Sequence, residues 1–321
     1  MGWCKSDKCV CAGNTVEPTV EFLKKTRVNA LDFDVIERLG QGYFGEVSLV
    51  RDKHDGGLYA MKKLFKGRIS NLDYFMEERD ILAQLDSPFL TSLHAAFQDQ
   101  NHLYLAMEYL PGGDLMGLLD NKENGKFYAS QMVAAVEALH SAGYMHRDIK
   151  PNNILITRDG HIKLADFGSC ARVGPDGMVR CQISVGTPDY ISPEVLESQN
   201  SKNAAYGLQS DWWGVGVVLY EMLFGTTPFT DDSISVTYAN IMSADGNIDF
   251  PDDVEVSDEF KNLINSLLSK PAKRLGKNGA SEVKAHAFFK GIDWSNLHAM
   301  TPPFVPELES DTDTKYFQLD D

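Results

Sequence analysis

The side chains best suited to chemistry fall in a fixed order along the chain. Gly40-Gln41-Gly42-Tyr43-Phe44-Gly45 comes first, with Val47 two residues on. Glycines at this spacing let backbone N–H groups approach phosphate oxygens, because no Cβ stands in the way. Alone, the pattern also fits an ordinary glycine-rich turn. Fifteen residues past Val47 stands Lys62, in Tyr59-Ala60-Met61-Lys62. A lysine on an interior strand needs an anion, and Glu77, on the helix expected over Leu72–Leu85, offers one; a surface lysine is the plainer alternative. The next constellation is denser. His146-Arg147-Asp148-Ile149-Lys150-Pro151-Asn152-Asn153 fixes six positions that arise together in fewer than about one chain in ten thousand on average residue usage. Asp166-Phe167-Gly168 stands thirteen residues past Asn153, followed by Gly186-Thr187-Pro188 and Ser192-Pro193-Glu194. Each piece alone occurs in surface turns. All of them in this order arise by chance in under about 2% of cases by the same arithmetic.

Two kinds of architecture have to position these residues. Phe33–Leu39, Glu46–Arg51 and Leu58–Leu64 read as strands, with Gly40–Gly45 as a loop and His54-Asp55-Gly56-Gly57 as a turn. The glycine loop runs into a second strand rather than opening a helix, which sets it apart from a dinucleotide-binding fingerprint. Past Pro111-Gly112-Gly113 the period becomes helical. Tyr128, Met132, Ala135, Val136 and Leu139 share one helix face, as do Phe260, Leu263, Ile264, Leu267 and Leu268. Trp212–Leu223 is apolar on nearly every face and predicts a helix buried all round. A sheet-rich first part and a helix-rich second part, joined near Leu110–Gly113, imply two lobes with a cleft between them. From Thr301 the chain turns Pro-rich and then acidic, as an extended tail laid on a surface or a disordered one. No internal repeat or low-complexity tract appears.

Composition narrows the classes. The 321 residues carry 30 Lys+Arg against 46 Asp+Glu, a formal charge of −16. This balance argues against charge-driven adhesion to nucleic acid or an anionic membrane. The five cysteines, Cys4, Cys9, Cys11, Cys170 and Cys181, are too few for a disulfide framework and fit a reducing, cytoplasmic setting. The Cys4, Cys9 and Cys11 cluster lacks a fourth metal ligand and reads as reduced thiols. Asp211 and Glu221 interrupt the apolar stretch Trp212–Gly225 and its surroundings short of the ~20 residues of a spanning helix. No secretory leader is read at the start. Met1-Gly2-Trp3-Cys4-Lys5-Ser6 fits the loose myristoylation pattern, with Trp3 beside the acceptor glycine weighing against it.

Taken together, the motifs form the protein-kinase signature set. Across roughly Phe33–Phe317 the chain resembles eukaryotic protein kinases of the AGC type. It is most similar to the myotonic dystrophy kinase-related Cdc42-binding kinases, with Rho-associated and citron kinases as close relatives. Ala96-Phe97-Gln98-Asp99, Asp166-Phe167-Gly168-Ser169-Cys170 and Val185-Gly186-Thr187-Pro188-Asp189-Tyr190-Ile191-Ser192-Pro193-Glu194 carry that likeness. Tyr206-Gly207, Asp211-Trp212-Trp213 and Pro303-Phe304-Val305-Pro306 add to it. The resemblance implies an α+β, bilobal protein-kinase fold: a small antiparallel-sheet N-lobe with one regulatory helix, a larger helical C-lobe, and an AGC tail. Its bounds would be an extension at 1–32, a kinase domain at 33–289 divided at 110/111, and a tail at 290–321.

By the same resemblance the cofactors are ATP and Mg2+. Leu39, Gly40, Gln41, Gly42, Tyr43, Phe44, Gly45, Val47 and Ala60 would surround the nucleotide. Lys62, held by Glu77, would contact the α- and β-phosphates. Met107 would be the gatekeeper, the backbone of Glu108 and Leu110 would meet adenine, and Asp114 would bind ribose. Asp148 would accept the substrate hydroxyl proton, and Asn153 and Asp166 would hold magnesium. Lys150 favours serine/threonine over tyrosine, Thr187 would bond near Asp148 and Lys150, Asp211 would brace the catalytic loop, and Arg274 would pair with Glu194.

Departures from the family pattern carry their own expectations. Ile183 and Ser184 stand where many AGC kinases place a phosphorylated threonine, so activity is expected without that modification. Asn152 replaces an acidic residue, while Asp114 and Glu221 remain, so a preference for basic residues near the target is expected but weakened. The stretches Lys62–Glu77 and Leu118–Phe127 are shorter than usual. Little room follows Phe317 for a hydrophobic motif, and the coiled-coil and GTPase-binding parts of the long relatives are not read here. The resemblance points to myosin light chain or myosin phosphatase as substrates and to cytoskeletal control. The rival reading is a catalytically silent kinase-fold scaffold, a pseudokinase.

Overall fold

The computed structural model describes residues 3–4, 28–42, 45–69, 72–118, 125–180, 186–199, 205–252 and 254–317. Tyr43 and Phe44 of the glycine segment, Ile183 and Ser184, and Gly2, Cys9, Cys11 and Cys181 lie outside the described residues. The chain divides into two compact units. One comprises Met1–Asp86, Thr91–Pro111 and Glu307–Asp321, the other Ser87–Leu90 and Gly112–Pro306.

The first unit is built on an antiparallel sheet. Its strands are β1 (Trp3–Cys4), β2 (Phe33–Gly42), β3 (Gly45–Asp52), β4 (Leu58–Phe65), β5 (Leu93–Gln98) and β6 (His102–Glu108), in the order β1-β5-β6-β4-β3-β2. Alternate residues reach a core of Phe33, Val50, Met61, Ala95, Phe97, Tyr104 and Ala106. Within it the Phe97 ring stacks on Phe33 at 5.7 Å and on Tyr104 at 4.8 Å. Helix α1 (Leu72–Gln84) buries Phe75, Glu78, Ile81 and Leu82 on one face, the spacing a 3.6-residue turn requires. The expected Gly40–Gly45 loop is largely paired strand: Gly40 faces Val47, Gln41 faces Glu46 and Gly42 faces Gly45. Continuing the antiparallel ladder satisfies backbone groups that a loop would leave to water.

The second unit is helical: α2 (Gly125–Ser141), α3 (Pro193–Ser198), α4 (Gln209–Phe224), α5 (Ile234–Ser243), α6 (Asp258–Leu267) and α7 (Ala280–Lys284). As its composition predicts, α4 is buried from Ser210 through Met222, with Trp212 and Trp213 fully enclosed. Its glycines serve close packing. A Cβ at Gly214 would meet Ile149 at 3.0 Å, and one at Gly216 would meet Leu267 and Leu268 at 2.9 Å. Small residues here let the Ile149 segment and α6 lie against the helix. Short paired strands β7 (Tyr144–Met145) with β10 (Ala171–Arg172), and β8 (Ile154–Ile156) with β9 (Ile162–Leu164), flank that same segment. The short stretch after Asp114 forms a single 3-10 turn, Leu115–Leu118, before the described residues break off.

As far as Phe317, each part of the tail packs on the unit to which it belongs. In the second, His298 stacks on Phe89 at 4.8 Å, and Gly160 lets the Phe304 carbonyl approach where a Cβ would sit only 2.0 Å from it. In the first, Tyr109 donates its hydroxyl to the Asp313 carbonyl at 2.6 Å and its ring lies 5.9 Å from Phe317. Among the described residues no helix is long and apolar enough to cross a membrane.

Candidate active site

In the first unit, sheet register gathers several of the residues expected around the nucleotide. Gly40 pairs with Val47, Val47 with Lys62, and Ala60 with Met107. Directly paired residues share a face, and Ala60 and Lys62 are two apart, so Val47, Ala60, Lys62 and Met107 present one surface. Lys62 donates from Nζ to Glu78 Oε1 at 2.7 Å. The expected partner, Glu77, is corrected to Glu78. Glu78 lies in phase with Phe75, Ile81 and Leu82 and is 2% exposed. A one-residue step turns a helical side chain by about 100°, which takes Glu77 off that face. The three glycines also divide. A Cβ at Gly45 would lie 1.9 Å from the Lys63 carbonyl, so that glycine is required by strand packing, whereas a Cβ at Gly40 or Gly42 would meet nothing within 4 Å among the described residues. Glu108 is tied into the strand end: its carboxylate accepts from Ser92 N–H at 2.9 Å, and its own N–H donates to the Ser92 carbonyl at 3.1 Å.

In the second unit, three side chains close around one carboxylate. Asp148 Oδ1 accepts from the Thr187 N–H and hydroxyl, both at 3.0 Å. Asp148 Oδ2 meets Lys150 Nζ at 2.9 Å and accepts from Asn153 Nδ2 at 3.0 Å. Lys150 also donates to the Thr187 hydroxyl at 2.8 Å, and Asn153 donates to the Asp148 carbonyl at 2.8 Å. Asp148, Lys150, Thr187 and Asn153 therefore form one connected group, and each bond to the ionised carboxylate is of the stronger, charge-assisted kind.

Beneath that group lies a buried brace. Asp211 accepts from His146 N–H at 2.8 Å and Arg147 N–H at 2.9 Å, and meets His140 Nε2 at 2.7 Å. Burial alone would raise the Asp211 carboxyl, yet the His140 bond and the backbone donors hold it below its ordinary value. Arg147 adopts a left-handed backbone at φ 71° and Asp166 another at φ 57°; these are the non-glycine residues of positive φ among those described. Such conformations cost on the order of 1–3 kcal/mol and persist where surrounding bonds enforce them. Arg147 donates to the carbonyls of Ser169 at 2.5 Å and Cys170 at 3.3 Å, joining the catalytic segment to the stretch after Asp166. Arg274, 1% exposed, forms a forked pair with Glu194 and is covered by the Trp213 ring at 5.1 Å. Burial pushes the Glu194 carboxyl up, and Arg274 more than offsets this, leaving it below its ordinary value.

The two remaining acids are not bare. Asp114 accepts from Asn152 Nδ2 at 2.9 Å. Glu221 accepts from the Tyr190 hydroxyl at 2.7 Å, and burial raises both groups above their ordinary values. His140, Tyr190 and Glu78 were not singled out by the motifs. His140 stands four residues past Val136, so the helical period that marks the buried face of α2 also points to it.

The donor set suits a hard divalent cation. Asn153 directs its amide nitrogen to Asp148, so its carbonyl oxygen is the atom it can offer. Asp166, exposed, adds a carboxylate, and Ala165 N–H donates to the backbone carbonyl of Asn153 at 2.8 Å, linking the two positions. Oxygen ligands of this kind fit Mg2+.

Residues 33–289 match the family described as protein kinase domain, and the chain belongs to that family. Among named relatives, Rho-associated protein kinase 1 of Homo sapiens is 48% identical over 308 residues, 93% of this chain and 23% of the relative. Serine/threonine-protein kinase mrck-1 of Caenorhabditis elegans is 44% identical over 329 residues, 98% of this chain and 21% of the relative. Serine/threonine-protein kinase MRCK beta of Homo sapiens is 44% identical over 315 residues, 95% of this chain and 18% of the relative. The chain thus spans about a fifth of the length of the relatives it matches.

Proposed function

We propose that the chain is an active serine/threonine protein kinase that transfers the γ-phosphate of Mg-ATP to protein hydroxyls. The observation that carries this reading is the Asp148 carboxylate, held at once by Thr187, Lys150 and Asn153. Asp148 orients the substrate hydroxyl and takes its proton, while Lys150 supplies positive charge beside the transferring group. Lys62, steadied by Glu78, contacts the phosphates from the sheet. Asn153 and Asp166 would hold Mg2+, which would supply neutralising charge at the phosphate oxygens. Phosphoryl transfer runs through a loose transition state, so positioning and charge neutralisation account for most of the acceleration.

Three finer readings go with it. Asp114 and Glu221 favour basic residues near the target, and the Asn152 amide on Asp114 weakens that preference. Arg147 already donates to the Ser169 and Cys170 carbonyls, which supports activity without an activation-loop phosphate. Like the long kinases it resembles, the chain acts in the cytoplasm on cytoskeletal targets of the myosin light chain or myosin phosphatase class.

Transfer of labelled γ-phosphate to a Ser/Thr peptide with flanking arginines tests the activity. The native chain is expected to label the Ser/Thr peptide and not its Tyr counterpart, before and after phosphatase treatment. Background labelling by the native chain, equal to that of Asp148→Asn, would instead support the silent scaffold.

A further inference from the structure

Inside the second unit a small cavity lies behind the residues that hold Asp148. Met145, Arg147, Tyr190, Ser192, Ser210 and Asp211 are among its lining residues. It offers about 20 Å3 to the centre of a water molecule, above the roughly 10–15 Å3 that one water needs. Its walls are mixed, polar on the Arg147, Ser210 and Asp211 side and apolar at Met145.

Ser192 is the unexpected element. It occupies the N-cap position of α3, and its carbonyl accepts from Val195 N–H at 3.1 Å and Leu196 N–H at 3.0 Å. A serine at such a position ordinarily bonds a first-turn N–H through its hydroxyl. Here the side chain makes no cap bond. Ser192 is 2% exposed, and its buried Oγ meets no hydrogen-bond partner among the described residues. A buried hydroxyl left in this way is costly, and native interiors meet that cost with an ordered water where the site is polar and roomy. Ser210 nearby donates its own proton to Glu194 Oε1 at 2.7 Å, so its oxygen lone pairs are what it can offer a water.

We propose that this cavity binds one ordered water through Ser192 Oγ, and that Ser192, acting through it, is a positioning residue for the Thr187–Ile191 segment. The water joins that segment to the wall carrying Arg147 and Asp211, so Thr187 is held against Asp148 from behind as well as from the front. The positioning half rests on the kinase reading above; the water itself does not.

The sign of one substitution decides the first half. If Ser192 Oγ holds a water, Ser192→Ala lowers the unfolding midpoint by about 2–4 °C. If the hydroxyl is dry, removing it leaves the midpoint unchanged or raises it, and the proposal fails. A high-resolution crystal structure of the native chain gives a readout independent of any variant. A single solvent peak within hydrogen-bond distance of Ser192 Oγ is expected, and its absence would overturn the site. For the second half, Ser192→Ala is expected to lower kcat roughly threefold, less than removal of the Thr187 hydroxyl itself, with the ATP KM unmoved. A kcat equal to that of the native chain would overturn the positioning role. Failure of the native chain to transfer phosphate would count against the kinase reading alone, because the midpoint and the solvent peak do not depend on turnover.

Discussion

Lys62 and Asp148, the two charged groups closest to the expected chemistry, are held in opposite ways. Lys62 depends on Glu78, a carboxylate supplied by a helix sixteen residues away. Asp148 is bonded by Lys150 and Asn153 from its own segment and by Thr187 from a second one, above the Asp211 brace. A long-range pair ties its members to the helix that carries the partner. A connected local group distributes the loss of any one bond over the others. The first arrangement suits a part that can be regulated, the second a part that must stay in place.

Substitutions can break this contrast. The largest expected effect is on the side held across a long range: Lys62→Met should lower phosphate transfer by roughly 100-fold or more, since it removes a preorganised charge from the phosphates. Steady-state transfer to a fixed peptide measures it. Next, Glu78→Gln should cost about tenfold, with Glu77→Gln within twofold of the native chain, the two differing by about the worth of one charged hydrogen bond. Equal effects of the two would mean that the helix presents either carboxylate to Lys62. Thr187→Val should be milder, a loss of roughly fivefold in kcat, because Lys150 and Asn153 continue to hold Asp148. A larger loss than that of Glu78→Gln would reverse the contrast.

The smallest effect concerns acid stability. Glu194 and Asp211 are both held below their ordinary values of 4.5 and 3.8. A carboxylate depressed in the folded state stabilises the fold above its unfolded pKa, and that contribution is lost as the pH falls through the folded value. The second unit should therefore keep its full stability above about pH 5 and lose it progressively below about pH 4. Glu194→Gln should flatten that acid limb in circular dichroism or tryptophan fluorescence, and an unchanged slope would count against the pairing with Arg274.

How far the sequence could be read depended on how local each feature is. The Asp148 group is legible because Lys150 and Asn153 lie within five residues of it and Thr187 sits in its own short motif. Asp211 was reached through the compact Asp211-Trp212-Trp213 motif, and Arg274 only through the family resemblance. The Lys62 partner was missed by one residue, because motif spacing locates the helix and only its burial phase, set by Phe75, Ile81 and Leu82, selects the carboxylate. The pairing of Gly40–Gly45 was missed because glycines that permit a loop also permit a tight hairpin. Gly45 answers to the Lys63 carbonyl, a neighbour eighteen residues on in the chain and invisible to local pattern. Ser192 and His140 draw their importance from what encloses them, which spacing alone does not convey.

The account rests most heavily on Asp148, and one comparison tests it directly. Single-turnover transfer of labelled γ-phosphate to a basic serine peptide would be followed for the native chain and for Asp148→Asn, with nucleotide affinity measured alongside. Transfer by the native chain, lowered at least about 100-fold in the variant at unchanged nucleotide affinity, is the predicted result for a residue that serves the hydroxyl rather than the nucleotide. Native transfer that survives Asp148→Asn undiminished would contradict it.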